Sequence, residues 1–354
     1  MSFHRLKYLL VYIIPVLVLF SISSPNIWAY SALIFTFGVI PLFELFFNGN
    51  TKNLSKAEEA VVKEDKLYDY MLYALVPIQY GTMVYFLFQI GDTSLPLYVK
   101  VGMTAAFGIS CGVFGINAAH ELGHRSTWYE QLMSKMLLLT SLYMHFFIEH
   151  NRGHHKNVST DDDPASSRYD EIVYTFYFRS IIGGWLSAWH LEGARLKAKK
   201  QGFWSIHNEM LRFQVIQVAL IVAIGLVFSG TVLLFFLASA TIGFLLLETV
   251  NYIEHYGLRR KKKGNSYERT LPIHSWNSNH PLGRLLLLEL SRHSDHHYIA
   301  NRKYQTLRHF DESPQMPTGY PGMVLLSLFP PLWFMVMHKQ INKYKGIEKG
   351  VALA

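Results

Sequence analysis

This chain of 354 residues contains a single cysteine, Cys111, which lies inside an apolar stretch. One cysteine cannot form a disulfide within the chain. Iron–sulfur clusters and zinc ribbons, which need several cysteine thiolates, are excluded for the same reason.

Charged residues are also scarce, at 16% of the chain, whereas hydrophobic residues reach 50% and aromatic residues 15%. The mean hydropathy is +0.15. This composition is too apolar for an ordinary soluble domain and is typical of an integral membrane protein. Apolar segments run through most of the sequence, so we expect residues 1–354 to form one membrane-embedded domain with a frayed tail at about 346–354.

Acidic residues are fewer than basic ones, 25 against 33, which gives a net charge of +8. In a membrane protein such an excess usually marks cytoplasmic loops, under the positive-inside rule, rather than nucleic-acid binding. The interleaved aromatic and basic residues of single-strand binders are missing too. We therefore expect no nucleic-acid partner.

Six apolar stretches are long enough to cross a bilayer, which takes about 20 residues. They lie at roughly 6–23, 27–47, 68–90, 97–117, 211–228 and 231–251. The first could be a signal peptide, because basic residues flank it. A second span follows almost at once, however, and the pair is typical of a membrane hairpin. We predict an all-α integral membrane protein with six transmembrane helices.

The distribution of lysine and arginine predicts the orientation of these spans. The loop 48–67 carries four lysines, and the basic run Arg259–Lys263 follows the sixth span, whereas the turns at 24–26, 91–96 and 229–230 carry no lysine or arginine. Both termini and the long loops are therefore expected in the cytoplasm.

The histidines of this chain are unusually arranged: nine of the 17 fall into four tight clusters. Spacings of three to five residues place imidazoles on one face of a helix or at its end, where two can bind one metal ion. Nine ligands exceed the four that zinc usually takes and suit two transition-metal ions. The nine are His120, His124, His150, His154, His155, His255, His293, His296 and His297.

All four clusters follow or precede spans on the predicted cytoplasmic side, which indicates a cytoplasmic, histidine-rich helical cap. The apolar run 133–148 separates the first two clusters. Its 16 residues make about 24 Å of helix, which is short of a hydrocarbon core of about 30 Å. We expect this run to be re-entrant or interfacial, since a crossing would separate the clusters.

The first cluster also matches H-E-x-x-H, the zinc protease signature, with Glu121 as the general base. A protease site needs three protein ligands and a water. That reading leaves most of the clustered histidines without a role, but it stays an alternative.

Four carboxylates, Glu121, Glu149, Glu254 and Asp295, each lie beside a candidate ligand. A metal-bound histidine usually donates its second N–H to such an acceptor, so we expect these groups to support the ligands. Whether any of them coordinates directly stays open. The Asp163-Pro164 pair is interpreted as part of a structural loop.

A redox-capable metal pair beneath an apolar helix bundle favours oxidation of a lipid-soluble substrate. The sequence motifs around the histidines resemble those of the bacterial alkane 1-monooxygenases. These enzymes are membrane-bound diiron hydroxylases of the wider desaturase and hydroxylase superfamily. The motifs are HELGHR at 120–125, EHNRGHHKNVSTDDDPASSR at 149–168, NYIEHYGLRR at 251–260, SWNSNH at 275–280, LSRHSDHH at 290–297 and YQTLRHFDESPQMPTGYPG at 304–322. The NYIEHYG motif in particular is similar to the corresponding motif of this family rather than to those of fatty acid desaturases.

This resemblance implies that the nine histidines bind two non-haem iron ions. It implies terminal hydroxylation of medium- to long-chain n-alkanes by O₂ in the bacterial cytoplasmic (inner) membrane. Electrons would come from rubredoxin and its NADH-dependent reductase, and the basic run Arg259–Lys263 is a candidate docking site. Related hydroxylases act on alkyl-aromatics, as xylene monooxygenase does, or on fatty acyl chains, and these substrates remain alternatives.

The resemblance also points to the second helix as the place where a bulky side chain limits the length of the substrate. Counting back from Pro41, the comparable position is Thr36, flanked by Phe35 and Phe37. A small residue there predicts a channel that stays open to longer alkanes. Alternatively, Thr36 only hydrogen-bonds its own helix.

Overall fold

Helices dominate the computed structural model, which describes the backbone of residues 5–352 and the side chains of residues 5–344. In chain order they are α1 (Lys7–Ser23), α2 (Ile27–Glu44), α3 (Lys56–Glu64), α4 (Lys66–Ile90), α5 (Leu97–Gly123), α6 (Trp128–Leu139), α7 (146–157), α8 (Val173–Ala198), α9 (Glu209–Val227), α10 (Gly230–His255), α11 (Pro281–Leu286), α12 (His293–Tyr298), α13 (Tyr320–Ser327) and α14 (Pro330–Ala352). Single 3₁₀ turns lie at Pro272–His274 and Tyr304–Thr306. Within the described part of the chain, the sheet is limited to an antiparallel pair, β1 (Lys262–Lys263) and β2 (Ser266–Tyr267).

Within residues 5–352, five helices are long and apolar enough to cross a membrane, namely α2, α4, α5, α9 and α10. This finding confirms the predicted all-α membrane class. The first predicted span forms α1, an apolar helix of 17 residues at most, at the lower limit for spanning. Whether α1 is the sixth span therefore stays a prediction.

The apolar run 133–148 does not form one continuous helix. Helix α6 ends at Leu139, the chain turns with Leu142 in the left-handed region (φ 54°), and α7 begins at residue 146. This break explains how the first two histidine clusters meet without a further membrane crossing.

Helices α5 and α10 pack in parallel at close range, because glycines replace side chains where they touch. A Cβ atom on Gly243 would lie 2.6 Å from the Cβ of Cys111, and one on Gly108 would lie 2.6 Å from Ile242. Small residues allow such close approach between membrane helices. Consequently the C-terminal ends of α5 and α10, with their histidines, lie at the same level.

In the part of the chain that the structure describes, three stretches of π-helix interrupt the α-helices, at Phe35–Val39 in α2, Ser110–Ile116 in α5 and His150–His154 in α7. A π turn inserts one extra residue and rotates the side chains that follow it; such turns are frequent at functional sites. All three lie around the candidate site described below.

The tail at 346–354 was expected to be frayed. Backbone helix α14 extends to Ala352, but the side chains of 345–354 and the backbone of 353–354 lie outside the described residues. The frayed tail therefore stays a prediction.

Candidate metal centre

The nine clustered histidines converge into two adjacent groups at the C-terminal ends of α5 and α10. Within each group one ligand nitrogen of every histidine lies within 4.8 Å of the others. The five-histidine group contains His120, His124, His150, His155 and His296. The four-histidine group contains His154, His255, His293 and His297.

The nitrogens of the five-histidine group face a common point. The Nε2 atom of His150 lies 3.0 Å from Nε2 of both His124 and His155, and Nε2 of His155 is also 3.0 Å from Nε2 of His296. A ring nitrogen carries either one proton or one lone pair, so it cannot make both contacts as hydrogen bonds. Two nitrogens that bind one ion at about 2.1 Å and at right angles are about 3.0 Å apart. The group therefore fits a metal ion.

The four-histidine group has the same character. Nε2 of His154 lies 3.2 Å from Nε2 of His297, and Nε2 of His293 lies 3.3 Å from Nε2 of His255. Each of the four is buried. Its nitrogens too converge from separate elements, since they come from α7, α10 and α12.

Burial keeps these imidazoles neutral at pH 7, because a charged ring would lose its hydration. Burial lowers the pKa of His124 to about 3 and lowers the pKa of His150 and His155 well below the ordinary value. The pKa values of His293 and His297 fall in the same direction, first through burial and then through neighbouring histidines. Neutral imidazoles keep the lone pair that a metal needs.

His154 differs from the others because Asp163 lies 2.9 Å from its Nδ1 atom. Burial alone would lower the pKa of His154, but the buried Asp163 carboxylate outweighs it and raises that pKa. His154 therefore donates Nδ1–H to Asp163, and its Nε2 faces the four-histidine group. Sequence reasoning interpreted Asp163 only as a loop residue and missed this role, because nothing in its spacing from His154 announces the contact.

Of the four carboxylates predicted beside the histidines, Glu254 lies against the inward-facing nitrogen of a candidate ligand. Its Oε2 lies 3.1 Å from Nε2 of His293, while the hydroxyl of Tyr320 donates to its Oε1 over 2.7 Å. The carboxylate thus faces the metal-binding nitrogen of His293 rather than its far side. This position suits a ligand or a charge partner for an ion.

The other three predicted carboxylates have different surroundings. Arg125 donates to Glu121 over 2.6 Å, and the backbone N–H of Tyr304 also donates to it. Glu149 is buried against α8, and burial together with Asp163 raises its pKa to about 8. Asp295 accepts from the backbone N–H of Arg308 and lies 3.3 Å from Arg302. Their support of the ligands stays a prediction.

A mostly apolar cavity ends at the histidines. Its walls come from α1, α2, α5, α10, α11 and α13, and it reaches His120, His150 and His293. Thr36 lines this cavity, and its Oγ1 has no hydrogen-bond partner among the described residues. A bond from that hydroxyl to its own helix, the alternative drawn from the sequence, is therefore not seen.

Comparison with known proteins identifies the family. The fatty acid desaturase family matches residues 94–327. The chain is 40% identical to alkane 1-monooxygenase 2 of Pseudomonas aeruginosa over 95% of its length and 90% of that protein. It is 38% identical to alkane 1-monooxygenase 1 of Alcanivorax borkumensis over 95% of its length and 86% of that protein.

A more distant relative is the hydroxylase component of a xylene/toluene monooxygenase from Pseudomonas putida, 29% identical over 70% of this chain and 66% of that protein. The stronger matches extend over nearly the whole sequence and include every histidine cluster within their span. By this similarity the chain belongs to the alkane 1-monooxygenases, membrane-bound oxidoreductases within the larger family of fatty acid desaturases.

Proposed function

We propose that this protein hydroxylates the terminal carbon of medium- to long-chain n-alkanes, giving 1-alkanols. One alkane, one O₂, two electrons and two protons yield one alcohol and one water. The observation that carries this proposal is the apolar cavity that ends at two groups of histidines. Relatives named alkane 1-monooxygenase support the substrate class.

The two histidine groups would each hold one iron ion. Imidazole nitrogen is a suitable ligand for iron, and the chemistry of the donor set fits, because both groups consist of converging imidazole rings. Bound iron would supply the activation of O₂. Glu254 would offset part of the positive charge beside His293, and Asp163 would keep the tautomer of His154 that leaves Nε2 free for the ion.

The shape of the cavity selects the substrate. A linear alkane has no polar group, so only the length and width of the cavity can discriminate between chains. Thr36 lies on the wall, with Phe37 and Ile40 beside it. We propose that the small Thr36 side chain leaves this part of the channel open, so that the terminal carbon meets the histidine groups. Burial of the site also excludes water from the reaction.

The electron donor in this proposal is rubredoxin, reduced by its NADH-dependent reductase. The basic run Arg259–Lys263 is a candidate docking site for an acidic partner. Arg260 in this run donates to the backbone carbonyl of Lys156, which belongs to α7 beside His155. A donor that docks here would therefore contact an element that carries histidines of both groups.

The proposed membrane topology is six transmembrane helices in the bacterial inner membrane, with α1 as the first. Both termini and the histidine-rich cap then face the cytoplasm, in agreement with the basic loops. Rubredoxin and its reductase would reach the site from that side.

The decisive experiment combines metal analysis with product analysis on the purified protein in nanodiscs. We expect about two irons per chain and alkane-dependent O₂ uptake with rubredoxin and reductase, matched by 1-alkanol in gas chromatography. His154→Ala should lose both iron and activity, whereas His207→Ala, at an exposed position outside the clusters, should keep both. A single zinc with peptide cleavage and no O₂ uptake would establish the protease alternative instead.

A second candidate substrate class is the alkyl-aromatic compounds, which the xylene/toluene monooxygenase relative favours. Fatty acyl chains are a third. A panel of n-alkanes, xylenes and fatty acids separates these activities, because all three would use the same histidines and differ only in the cavity. Faster turnover of xylene than of any n-alkane would replace the first proposal.

A further inference from the structure

Helix α8 presents large apolar side chains along its outer face, while the middle of its inner face is small or polar. Exposed residues recur every four positions along its outer face, and Phe178 is 74% exposed. They are Tyr174, Phe178, Ile182 and Leu186. The inner face is buried; it carries Val173, Phe176 and Leu196 towards its two ends and the small or polar Ser180, Gly184, Ala188 and Glu192 between them. A surface helix in water has charged and polar residues on its outer face, where α8 has this apolar stripe.

The contacts of the inner face place α8 across the ends of two candidate membrane spans. The hydroxyls of Tyr177 and Thr249 are 2.6 Å apart, which ties the first half of the helix to the last turns of α10. Near its other end, Glu192 accepts from the backbone N–H of Glu209, the first residue of α9. With 26 residues the helix extends for about 39 Å. A short turn joins α9 to α10, so the start of α9 and the end of α10 lie on the same side, and α8 runs across both.

The segment after α8 continues the apolar surface. Trp204 is 82% and Ile206 is 78% exposed, and both border an open groove on the first turns of α9. Val215 on α9 lines the same groove and is exposed. The outer surface of the loop is thus continuous with the face that α9 would turn to lipid.

Basic residues accompany this apolar surface. Lys197, Lys199 and Lys200 are exposed at the junction of α8 and the loop. The nearby acids do not neutralise them, because Glu192 and Glu209 are buried and pair with Arg152. Tryptophan beside lysine is typical of the boundary between acyl chains and headgroups.

We propose that α8 and residues 199–206 form a membrane-surface element that lies in the plane of the bilayer. Its outer face enters the boundary between headgroups and acyl chains, and its lysines bind anionic phospholipid headgroups. The proposal rests on the membrane placement of the protein and is independent of the irons and of the substrate. Since Ser180 on its inner face donates to Glu248 and Gly184 packs near Glu149, which precedes His150, this element would also brace the helices that carry the histidines.

The test uses spin labels at introduced cysteines in the full-length protein, with one molecule in each nanodisc. Cys111 is fully buried and does not compete for the label. Labels at Phe178→Cys, Ile182→Cys and Trp204→Cys should be accessible to O₂, which dissolves in lipid, and protected from a water-soluble nickel chelate. Val222→Cys on α9 is the lipid control, and Glu64→Cys on α3 is the water control; both positions are exposed.

Accessibility at 178, 182 and 204 like that at 64 would overturn the proposal. Low accessibility to both reagents would also overturn it, because it would indicate that protein covers the helix. Val222→Cys reports the membrane placement by itself, and O₂ uptake with alkane reports the proposed activity. Failure of this inference is therefore distinguishable from failure of the proposed function.

The lysines are tested separately with the Trp204→Cys label. Nanodiscs containing phosphatidylglycerol should shield this label from the nickel chelate severalfold more than nanodiscs of phosphatidylcholine alone. Replacing Lys197, Lys199 and Lys200 with glutamine should remove the difference, whereas glutamine at Lys52, Lys56 and Lys63 should not. An equal response of both triple variants would refute the role of headgroup binding.

Discussion

At the scale of single residues, Asp163 shows how a side chain outside the histidine clusters supports the site. Its carboxylate is buried, receives the Nδ1–H of His154 and also accepts from the hydroxyl of Ser166. Burial opposes the charged form, but His154 and Ser166 hold the pKa of Asp163 below its usual value. The ionised carboxylate thereby fixes the orientation of one ligand.

Asp163→Asn should lower iron affinity and activity by about 10–100-fold, the usual cost of losing a hydrogen-bond partner behind a metal ligand. The neutral amide keeps the shape but no longer enforces the Nδ1–H tautomer. Iron titration and O₂ uptake measure the effect. Asp162→Asn, at the exposed neighbouring position, is the matched control and should behave as wild type. Equal iron affinity in the two variants would contradict this role.

Thr36 is the second position at this scale. Thr36→Trp should shift the product profile toward shorter alkanes, because the indole would fill part of the cavity wall. Iron content should not change. Leu42→Trp, on an exposed part of the same helix, is the control and should leave the profile unaltered. An unchanged chain-length preference in Thr36→Trp would remove this residue from the channel.

At the scale of elements, the close packing of α5 against α10 sets the level at which their histidines meet. Gly243→Ala should destabilise the protein by about 1–3 kcal/mol, because its Cβ would clash with Cys111 on the facing helix. Gly81→Ala on α4 has no atom within 4 Å of the added Cβ and should be neutral or stabilising by up to about 1 kcal/mol. Unfolding in detergent compares the two. Equal stability of both variants would show that α10 can move away without cost.

The π turns are features of elements that hydropathy did not predict. The apolar pattern gave the spans α2 and α5, but their π segments at Phe35–Val39 and Ser110–Ile116 depend on how the helices pack around the cavity. A single extra residue in a turn changes no local composition, so the sequence pattern carries little trace of it.

At the scale of the whole molecule, the buried histidines link metal, pH and stability. His124, His150, His155, His293, His296 and His297 have folded-state pKa values below the ordinary value of 6.5, so the unfolded chain binds more protons below that pH. Above about pH 6.5 these histidines do not change the free energy of unfolding. As the pH falls below that value, they lower it. His154, with its raised pKa, acts in the opposite direction.

Removing iron with a chelator at pH 7.5 should lower Tm, because metal binds only the folded site. The Tm of the metal-free protein should then fall by several degrees between pH 7 and pH 5. The six histidines with lowered pKa values outnumber His154, whose pKa is raised. Differential scanning fluorimetry at constant ionic strength measures both effects. A Tm that is constant over this pH range would contradict the burial of neutral imidazoles.

The sequence by itself determined the membrane class, most of the spans and the nine histidines, because hydropathy and residue spacing are local properties. Only the tertiary structure decided how the histidines divide. His154 and His155 are adjacent in the chain yet belong to different groups, as do His296 and His297. Successive residues on a helix point about 100° apart, so neighbours face different ions when two sites flank the helix. The contact between Asp163 and His154 likewise depends on the path of a loop, which no local pattern encodes.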